Sequence, residues 1–341
     1  MTDSQPQPGQ RMFQLISGFW VAHAIHAATQ LGLPGHLAEG PLTPQELAEL
    51  TGTHPQSLYR LLRALAGYGV FHEDERGAFA LTDLGHTLRP DVAGSLAPYA
   101  QMHLSDAHRS AWGELVHSVR TGEPAFDKAV GQPVWEFFAQ NAEMAAHLNR
   151  AMHGLTELTV KAVLETYDFT PYRHLVDVGG GEGGLLTGLL AALPQATGVV
   201  FDLPRVVPGT GERIAAAGLA DRCEAVGGDF FAEVPGGGDL YLLKWVLHDW
   251  SDAESVEILR NCRSAMGPEG RLLIIDTVVP TGNEPAPGKL IDLTMMVLST
   301  GQERTAAQFE AVLREAGFEL TRILPMHGSP SSVVEALPLP S

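Results

Sequence analysis

From Leu175 to the end of the chain, short apolar runs alternate with runs that have the three- and four-residue apolar spacing of helices. This alternation predicts an α/β fold with a doubly wound, Rossmann-like, mostly parallel sheet between two layers of helices. The last two apolar runs, "FELTRILPM" and "SVVEALP", are predicted to pair as a hairpin at the edge of the sheet. The other predicted strands lie in "HLVDVGGG", "TGVVFDLP", "CEAVGGDFF", "DLYLLKWVLHD" and "RLLIIDTVVP".

The part of the chain before this pattern, from about residue 11 to 165, has helical periodicity almost throughout. Thr43 followed by Pro44 is a favourable start for one of these helices, because threonine caps well and proline fits the first helical position. The segment "FHEDERGAFALTDLG" interrupts the helices, with short strands predicted at residues 70–72 and 78–81. An otherwise all-helical domain with one such hairpin has the outline of a winged helix.

A glycine turn between a strand and a helix gives the first chemical signal. In "LVDVGGGEGG", residues Gly179, Gly181 and Gly184 match the spacing of the dinucleotide fingerprint, which is a weak signal on its own. Such glycines permit a tight turn and a close approach of the backbone to a ligand.

Three carboxylates make the glycine signal more specific. Asp177 precedes the turn, while Asp202 and Asp229 follow the next two strands, so all three are predicted to surround one crevice at the carboxyl ends of the strands. An acidic crevice repels a pyrophosphate and attracts a ligand that carries a sulfonium and an ammonium group. The cofactor predicted on this basis is S-adenosylmethionine rather than NAD. Each aspartate taken singly is also compatible with a helix cap or a turn.

With these motifs in order, the chain resembles the class I S-adenosylmethionine-dependent O-methyltransferases of the plant caffeate and bacterial natural-product type. The resemblance runs from the helical front to "GQERTAAQFEAVLREAGF". It implies that the acid at 202 binds the ribose and that the pair at 229 and 230 holds the adenine. The cofactor residues that we predict are Asp177, Gly179, Gly181, Asp202, Asp229, Phe230, Lys244 and Trp250.

The same resemblance implies a catalytic base in "KWVLHDWSD". The family motif matches His248, which is predicted to take a proton from the acceptor, and Glu303 and Asp276 are predicted to orient it. A neutral imidazole with a pKa of about 6.5 is a usable base at neutral pH, and the mechanism needs no metal. The family's acceptor pocket implies three further residues: Met152, Trp245 and Met295.

Composition excludes several classes of partner. The net charge of −18 repels nucleic acid and anionic lipid, so a small-molecule hydroxyl compound is the expected partner. Two cysteines are too few for a disulfide framework, and the polar start "MTDSQPQPGQ" lacks the order of a signal peptide, which together predict a cytoplasmic protein. A DNA-binding regulator is disfavoured because its recognition helix would offer only Arg60 and Arg63.

Three alternatives remain open to a test. The first two are an NAD-dependent oxidoreductase and a winged-helix regulator, both less favoured. The third lies within the family, where some members use the cofactor structurally or for chemistry other than methyl transfer.

The resemblance implies a dimerisation domain over residues 1–100, a helical connection over 101–165 that contributes to the substrate pocket, and a catalytic domain over 166–341. It also implies a homodimer that forms through the helices around residues 12 to 30.

Overall fold

The computed structural model of the protein describes residues 7–92 and 94–340, apart from the side chain of Glu143. Contacts divide these residues into two compact units. The first extends up to Arg109 and includes Phe138–Gly154, and the second holds Ser110–Phe137 and the residues from Leu155 onward. The predicted domain boundaries near residues 100 and 165 stay a prediction.

The first unit is helical apart from one hairpin. Thr43 caps a helix as predicted, because its hydroxyl accepts the backbone N–H of Glu46 while the Glu46 carboxylate accepts the N–H of Thr43. The predicted hairpin is confirmed, with Phe71 opposite Leu81 in an antiparallel pair. The elements are α1 (Pro8–Gln30), α2 (Leu33–His36), α3 (Pro44–Thr51), α4 (Pro55–Ala66), β1 (Phe71–Glu73), β2 (Phe79–Leu81), α5 (Asp83–His86) and α6 (Ala97–His103).

Five helices follow α6 along the chain, before the first strand of the sheet. The longest, α11, has its residues up to Gly154 in the first unit and its residues from Leu155 in the second. The five are α7 (Asp106–Gly113), α8 (Leu115–Thr121), α9 (Ala125–Val130), α10 (Val134–Gln140) and α11 (Ala142–Thr166).

The second unit is built on the predicted mostly parallel sheet. Seven strands follow the spatial order β5-β4-β3-β6-β7-β9-β8, in which the first five are parallel and β9 is antiparallel to both of its neighbours. The predicted terminal hairpin is therefore confirmed. The strands are β3 (His174–Val178), β4 (Thr197–Asp202), β5 (Cys223–Gly227), β6 (Leu240–Lys244), β7 (Arg271–Thr277), β8 (Phe318–Pro325) and β9 (Ser331–Pro338).

Helices cover both faces of this sheet, which is why its central strands read as continuous apolar runs. In β6, Leu240, Leu242 and Leu243 are fully buried, and their side chains divide between two separate hydrophobic clusters. The helices are α12 (Gly184–Ala192), α13 (Val207–Ala216), α14 (Asp252–Ala265), α15 (Pro287–Leu298) and α16 (Ala306–Glu315), with a short 3-10 turn at Leu247–Asp249.

The strand order places the candidate site. The chain runs outward from β3 through β4 to β5, and it then returns to the other side of β3 with β6 and β7. Ligands of open α/β sheets lie at such a reversal, outside the carboxyl ends of the strands.

Within residues 7–92 and 94–340, none of the helices has the length and apolar content to cross a bilayer.

Candidate active site

The glycine turn after β3 is held tightly against the end of β4. The backbone N–H groups of Gly179 and Gly180 both donate to the carbonyl of Phe201, at 2.8 and 3.3 Å. Gly179 and Gly181 have φ values of 69° and 56°, the left-handed region that favours glycine. A β-carbon at position 179 would lie 2.9 Å from a methyl group of Val246 and 3.5 Å from the Phe230 ring. The conformation of the turn therefore requires glycine at positions 179 and 181.

Asp202 ends β4 and faces this turn. One of its carboxylate oxygens accepts the N–H of Gly181 at 2.8 Å, and the other accepts the N–H of Leu203 at 2.7 Å. Burial raises the pKa of the carboxyl, while these two hydrogen bonds oppose the rise. Asp202 is thus fixed beside the glycine turn, where the sequence predicted an acid for the ribose.

An aromatic cluster closes the neighbouring part of the crevice. The carboxylate of Asp229 accepts the N–H of Phe231 at 2.9 Å, which orders the loop after β5. The rings of Phe230 and Phe231 meet the Trp250 ring edge-on, with centroids 6.0 and 4.8 Å apart. Such a cluster offers apolar ring faces and edges to a purine. Together with the glycine turn and Asp202, these side chains fit a nucleoside that carries a positive charge.

Asp177 corrects one prediction. It is 1% exposed and lies beneath the glycine turn, where a β-carbon on Gly180 would meet its carboxylate at 2.7 Å, so it does not line the crevice. Burial raises its pKa to about 7 against the opposing charge of Lys244, and burial lowers the pKa of Lys244 to about 8. Because Asp177 sits inside β3 rather than at its end, and helices cover both faces of the sheet, its side chain is enclosed by the protein.

His248 lies in the short turn that follows β6. The residue after β6, Trp245, has a φ of 54°, which is strained for a bulky side chain. Its indole N–H donates to the Ser331 hydroxyl at 3.1 Å, and the Lys244 ammonium lies 3.7 Å from its ring centroid. The loop before Glu303 packs against this turn so closely that a β-carbon on Gly301 would overlap the His248 carbonyl.

The structure brings together the three side chains predicted for catalysis. The Nδ1 atom of His248 lies 2.9 Å from a carboxylate oxygen of Glu303 and 3.3 Å from one of Asp276. The side chains of Asp276 and Glu303 are 0% and 1% exposed, whereas that of His248 keeps 15%. One ring nitrogen therefore faces two buried carboxylates.

A third carboxylate, to which the sequence analysis assigned no role, lies on the other side of the ring. Asp249 approaches Nε2 of His248 at 3.7 Å. Burial lowers the pKa of His248, but the charges of Asp276, Asp249 and Glu303 outweigh it and raise that pKa to about 10. Burial also raises the pKa of Glu303 to about 7 and that of Asp249 to about 6. The surrounding carboxylates therefore make this histidine more basic than a free imidazole.

The same three side chains form the group most suited to a metal ion among residues 7–92 and 94–340. One ligand atom each from His248, Asp276 and Glu303 lies within 4.8 Å of the others. The 2.9 Å separation of His248 Nδ1 and the Glu303 carboxylate is that of a hydrogen bond.

The predicted pocket residues lie in both units. Trp245 and the half-buried Met295 of α15 belong to the second unit, and Met152 of α11 belongs to the first. Their role as pocket residues stays a prediction. Sequence reasoning also missed Arg304, which directly follows Glu303 and is fully buried. Its signal is only its position, since an arginine in a polar segment usually lies in solvent.

Comparison with known proteins agrees with this geometry. The family model of the O-methyltransferase domain matches residues 112–319. The family model of the O-methyltransferase dimerisation domain matches residues 13–91. The phenazine O-methyltransferase PhzM of Lysobacter antibioticus is 44% identical over 328 residues, which is 96% of each chain.

Two solved structures extend the likeness to the whole fold. The crystal structure of LaPhzM is similar with a TM-score of 0.92 and 43% identity, covering 98% of this chain and 100% of that one. NcsB1 from neocarzinostatin biosynthesis, solved with S-adenosylmethionine and 2-hydroxy-5-methyl naphthoic acid, has a TM-score of 0.78 and 36% identity over 93% and 96% of the chains. The chain belongs to the S-adenosylmethionine-dependent O-methyltransferases of bacterial natural-product type.

Proposed function

We propose that this methyltransferase acts on a phenolic or polyketide-like hydroxyl of a small molecule, with His248 as general base. The observation that carries the proposal is the pair of buried carboxylates at Nδ1 of His248. They fix the proton on Nδ1, so Nε2 is the nitrogen that takes the acceptor's proton. Glu303 is the nearer orienting group and Asp276 the second.

When bound, S-adenosylmethionine supplies a methyl group already activated on sulfonium. The chain's own contribution is to bind it, to place the acceptor and to remove the proton. The ribose would be held by Asp202, which is fixed beside the glycine turn, and the adenine would lie against the Phe230 and Trp250 rings. The residues that would hold the cofactor are Gly179, Gly181, Asp202, Asp229, Phe230, Lys244 and Trp250.

The pKa of His248 favours a phenol as the acceptor. A phenol has a pKa of about 10, so proton transfer to an unperturbed imidazole would be uphill by roughly 3.5 pKa units, or about 5 kcal/mol. The carboxylates raise the pKa of His248 to about 10, which makes the neutral imidazole a stronger base and lowers this uphill step. An aliphatic hydroxyl, with a pKa of about 15 like that of water, would still hold its proton too strongly.

The acceptor would lie against Met152, Trp245 and Met295, as the family's pocket implies.

A homodimer is part of the proposal, because α1 exposes an apolar face whose contact with water is unfavourable. Its exposed side chains, each 54–62% accessible, are Met12, Phe13, Leu15, Ile16, Phe19 and Trp20. A second copy of the chain, applying the same face about a two-fold axis, would bury this surface.

Two measurements test the proposal in order. Isothermal titration with S-adenosylhomocysteine, with NADH as the control, should give micromolar binding of the first ligand alone. The His248→Ala variant should keep that affinity while the turnover of phenolic acceptors falls by roughly 10² to 10⁴. Full turnover in this variant would remove the general base from the proposal. Turnover of an arylamine in place of a phenol would redirect it to N-methyl transfer.

A further inference from the structure

Arg304 is a buried charged residue, and its guanidinium must therefore be paired to be stable. Its side chain is 0% exposed, and arginine is almost never fully buried unless it is paired. Its guanidinium finds four acceptors. It donates to the carbonyls of Leu247 and Trp250 at 2.7 and 2.9 Å, to the Ser255 hydroxyl at 2.9 Å and to the Asp252 carboxylate at 2.9 Å.

Two of these acceptors flank the proposed base. Leu247 and Trp250 stand immediately before His248 and immediately after Asp249, so the guanidinium spans the short turn that carries both side chains. Ser255 and Asp252 belong to the first turns of α14, which begins directly after this segment. The guanidinium therefore ties both ends of the turn to one rigid helix.

The backbone of the same residue fixes the orienting carboxylates. Arg304 pairs in parallel with Val278, two residues beyond Asp276, and its carbonyl accepts the N–H of Val279 at 2.9 Å. Glu303 is its immediate neighbour. One residue thus joins the strand that carries Asp276, the carboxylate of Glu303 and the turn of His248.

We propose that Arg304 is a positioning residue that holds Nδ1 of His248 in register with Glu303 and Asp276. This inference rests on the proposed role of His248 as the base. The planar guanidinium fork performs this task, since it reaches the Leu247 and Trp250 carbonyls at the same time. The compact ammonium of a lysine carries the same charge but lacks the fork.

The test compares Arg304→Lys with Arg314→Lys, the same substitution on the exposed face of α16, where Arg314 is 71% accessible. The readouts are kcat, KM for the acceptor, affinity for S-adenosylhomocysteine by titration, and the low-field NMR signal of the Nδ1 proton of His248, assigned by its loss in His248→Ala. For Arg304→Lys we expect kcat to fall by roughly ten- to a hundredfold through misplacement of the base. KM and cofactor affinity should change little, and the Nδ1 signal should shift. Arg314→Lys should match the wild type.

Two results would overturn the inference. One is wild-type kcat with an unmoved Nδ1 signal in Arg304→Lys, which would mean that charge alone suffices. The other is a loss of kcat, cofactor affinity and melting temperature together, which would mark a purely structural residue. If Arg304→Lys does not fold, Ser255→Ala decides, because it removes one acceptor of the fork and should shift the same signal. The NMR readout also separates this inference from the base assignment, which fails only if His248→Ala stays active.

Discussion

The two carboxylates at one imidazole nitrogen predict strong redundancy between Glu303 and Asp276. In the proposed arrangement, Nδ1 of His248 donates its single proton to a Glu303 carboxylate oxygen at 2.9 Å. A carboxylate oxygen of Asp276 lies 3.3 Å from the same nitrogen. If Glu303→Gln replaces the nearer carboxylate with an uncharged amide, the imidazole can turn its N–H to the remaining carboxylate of Asp276. Each single change should therefore leave His248 oriented, and only the double change should release it.

The magnitudes follow from this geometry. A hydrogen bond to a charged group contributes roughly 1.5–3 kcal/mol, and about 1.4 kcal/mol corresponds to a factor of ten in rate. Because Asp276 takes over in part, Glu303→Gln should lower kcat by about tenfold, and Asp276→Asn by less. The double variant loses the correct tautomer, which in a histidine base can cost roughly 10⁴ in kcat. The double effect should then exceed the product of the single effects by about a hundredfold.

Single-turnover methyl transfer, measured at saturating acceptor for the wild type, the two single variants and the double variant, gives this cycle directly. Both substitutions keep the side-chain shape, and affinity for S-adenosylhomocysteine serves as the control for an intact fold. If the double effect equals the product of the single ones, the two carboxylates act independently. If Glu303→Gln alone already reaches the full loss, Asp276 plays no part in orienting His248.

Four further outcomes are expected. Asp202→Ala should weaken S-adenosylhomocysteine at least tenfold by titration, because it removes a fixed carboxylate that accepts two backbone N–H groups; unchanged affinity would contradict its ribose role. Since the pKa of His248 is about 10, the imidazole is protonated at neutral pH, so the rate should rise with pH, and Glu303→Gln, which removes a negative charge, should move this limb to lower pH in a pH–rate profile. Dialysis against a chelator should leave activity intact, and a loss restored by a divalent ion would turn the His248 cluster into a metal site. Light scattering should give the mass of two chains, and Ile16→Glu, at a side chain 61% exposed, should give the mass of one.

The fold was largely predictable because its signals are periodic. Alternating strands and helices predicted the sheet, and the parallel arrangement then placed Asp202, Asp229 and His248 at one edge, since the carboxyl ends of parallel strands meet there. Asp177, which was predicted for the same crevice, was the exception. It lies one residue inside its strand, and because helices cover both faces of the sheet, the protein encloses its side chain.

Arg304 and Asp249 could not be identified in the same way, because their roles depend on a loop. The short turn after β6 and the segment before α16 are joined by close backbone packing at Gly301, and no periodicity predicts that contact. The carbonyls that accept from Arg304 carry no side-chain signature at all. A buried arginine that binds backbone atoms is therefore invisible in the sequence, although its neighbour Glu303 was identified by motif.

The basicity of His248 shows most clearly what distance adds to residue identity. A histidine after a strand suggests an ordinary base with a pKa of about 6.5, whereas three carboxylates within 3.7 Å of its ring nitrogens raise that pKa to about 10. The same charges that keep the imidazole protonated at neutral pH make its neutral form a stronger base. Removal of any one of these carboxylate charges should therefore have two opposing effects on the rate. It increases the fraction of His248 that is neutral at neutral pH, and it makes the neutral imidazole a weaker base. Under the proposed mechanism, acceptors with a pKa well below about 10 should depend least on Glu303.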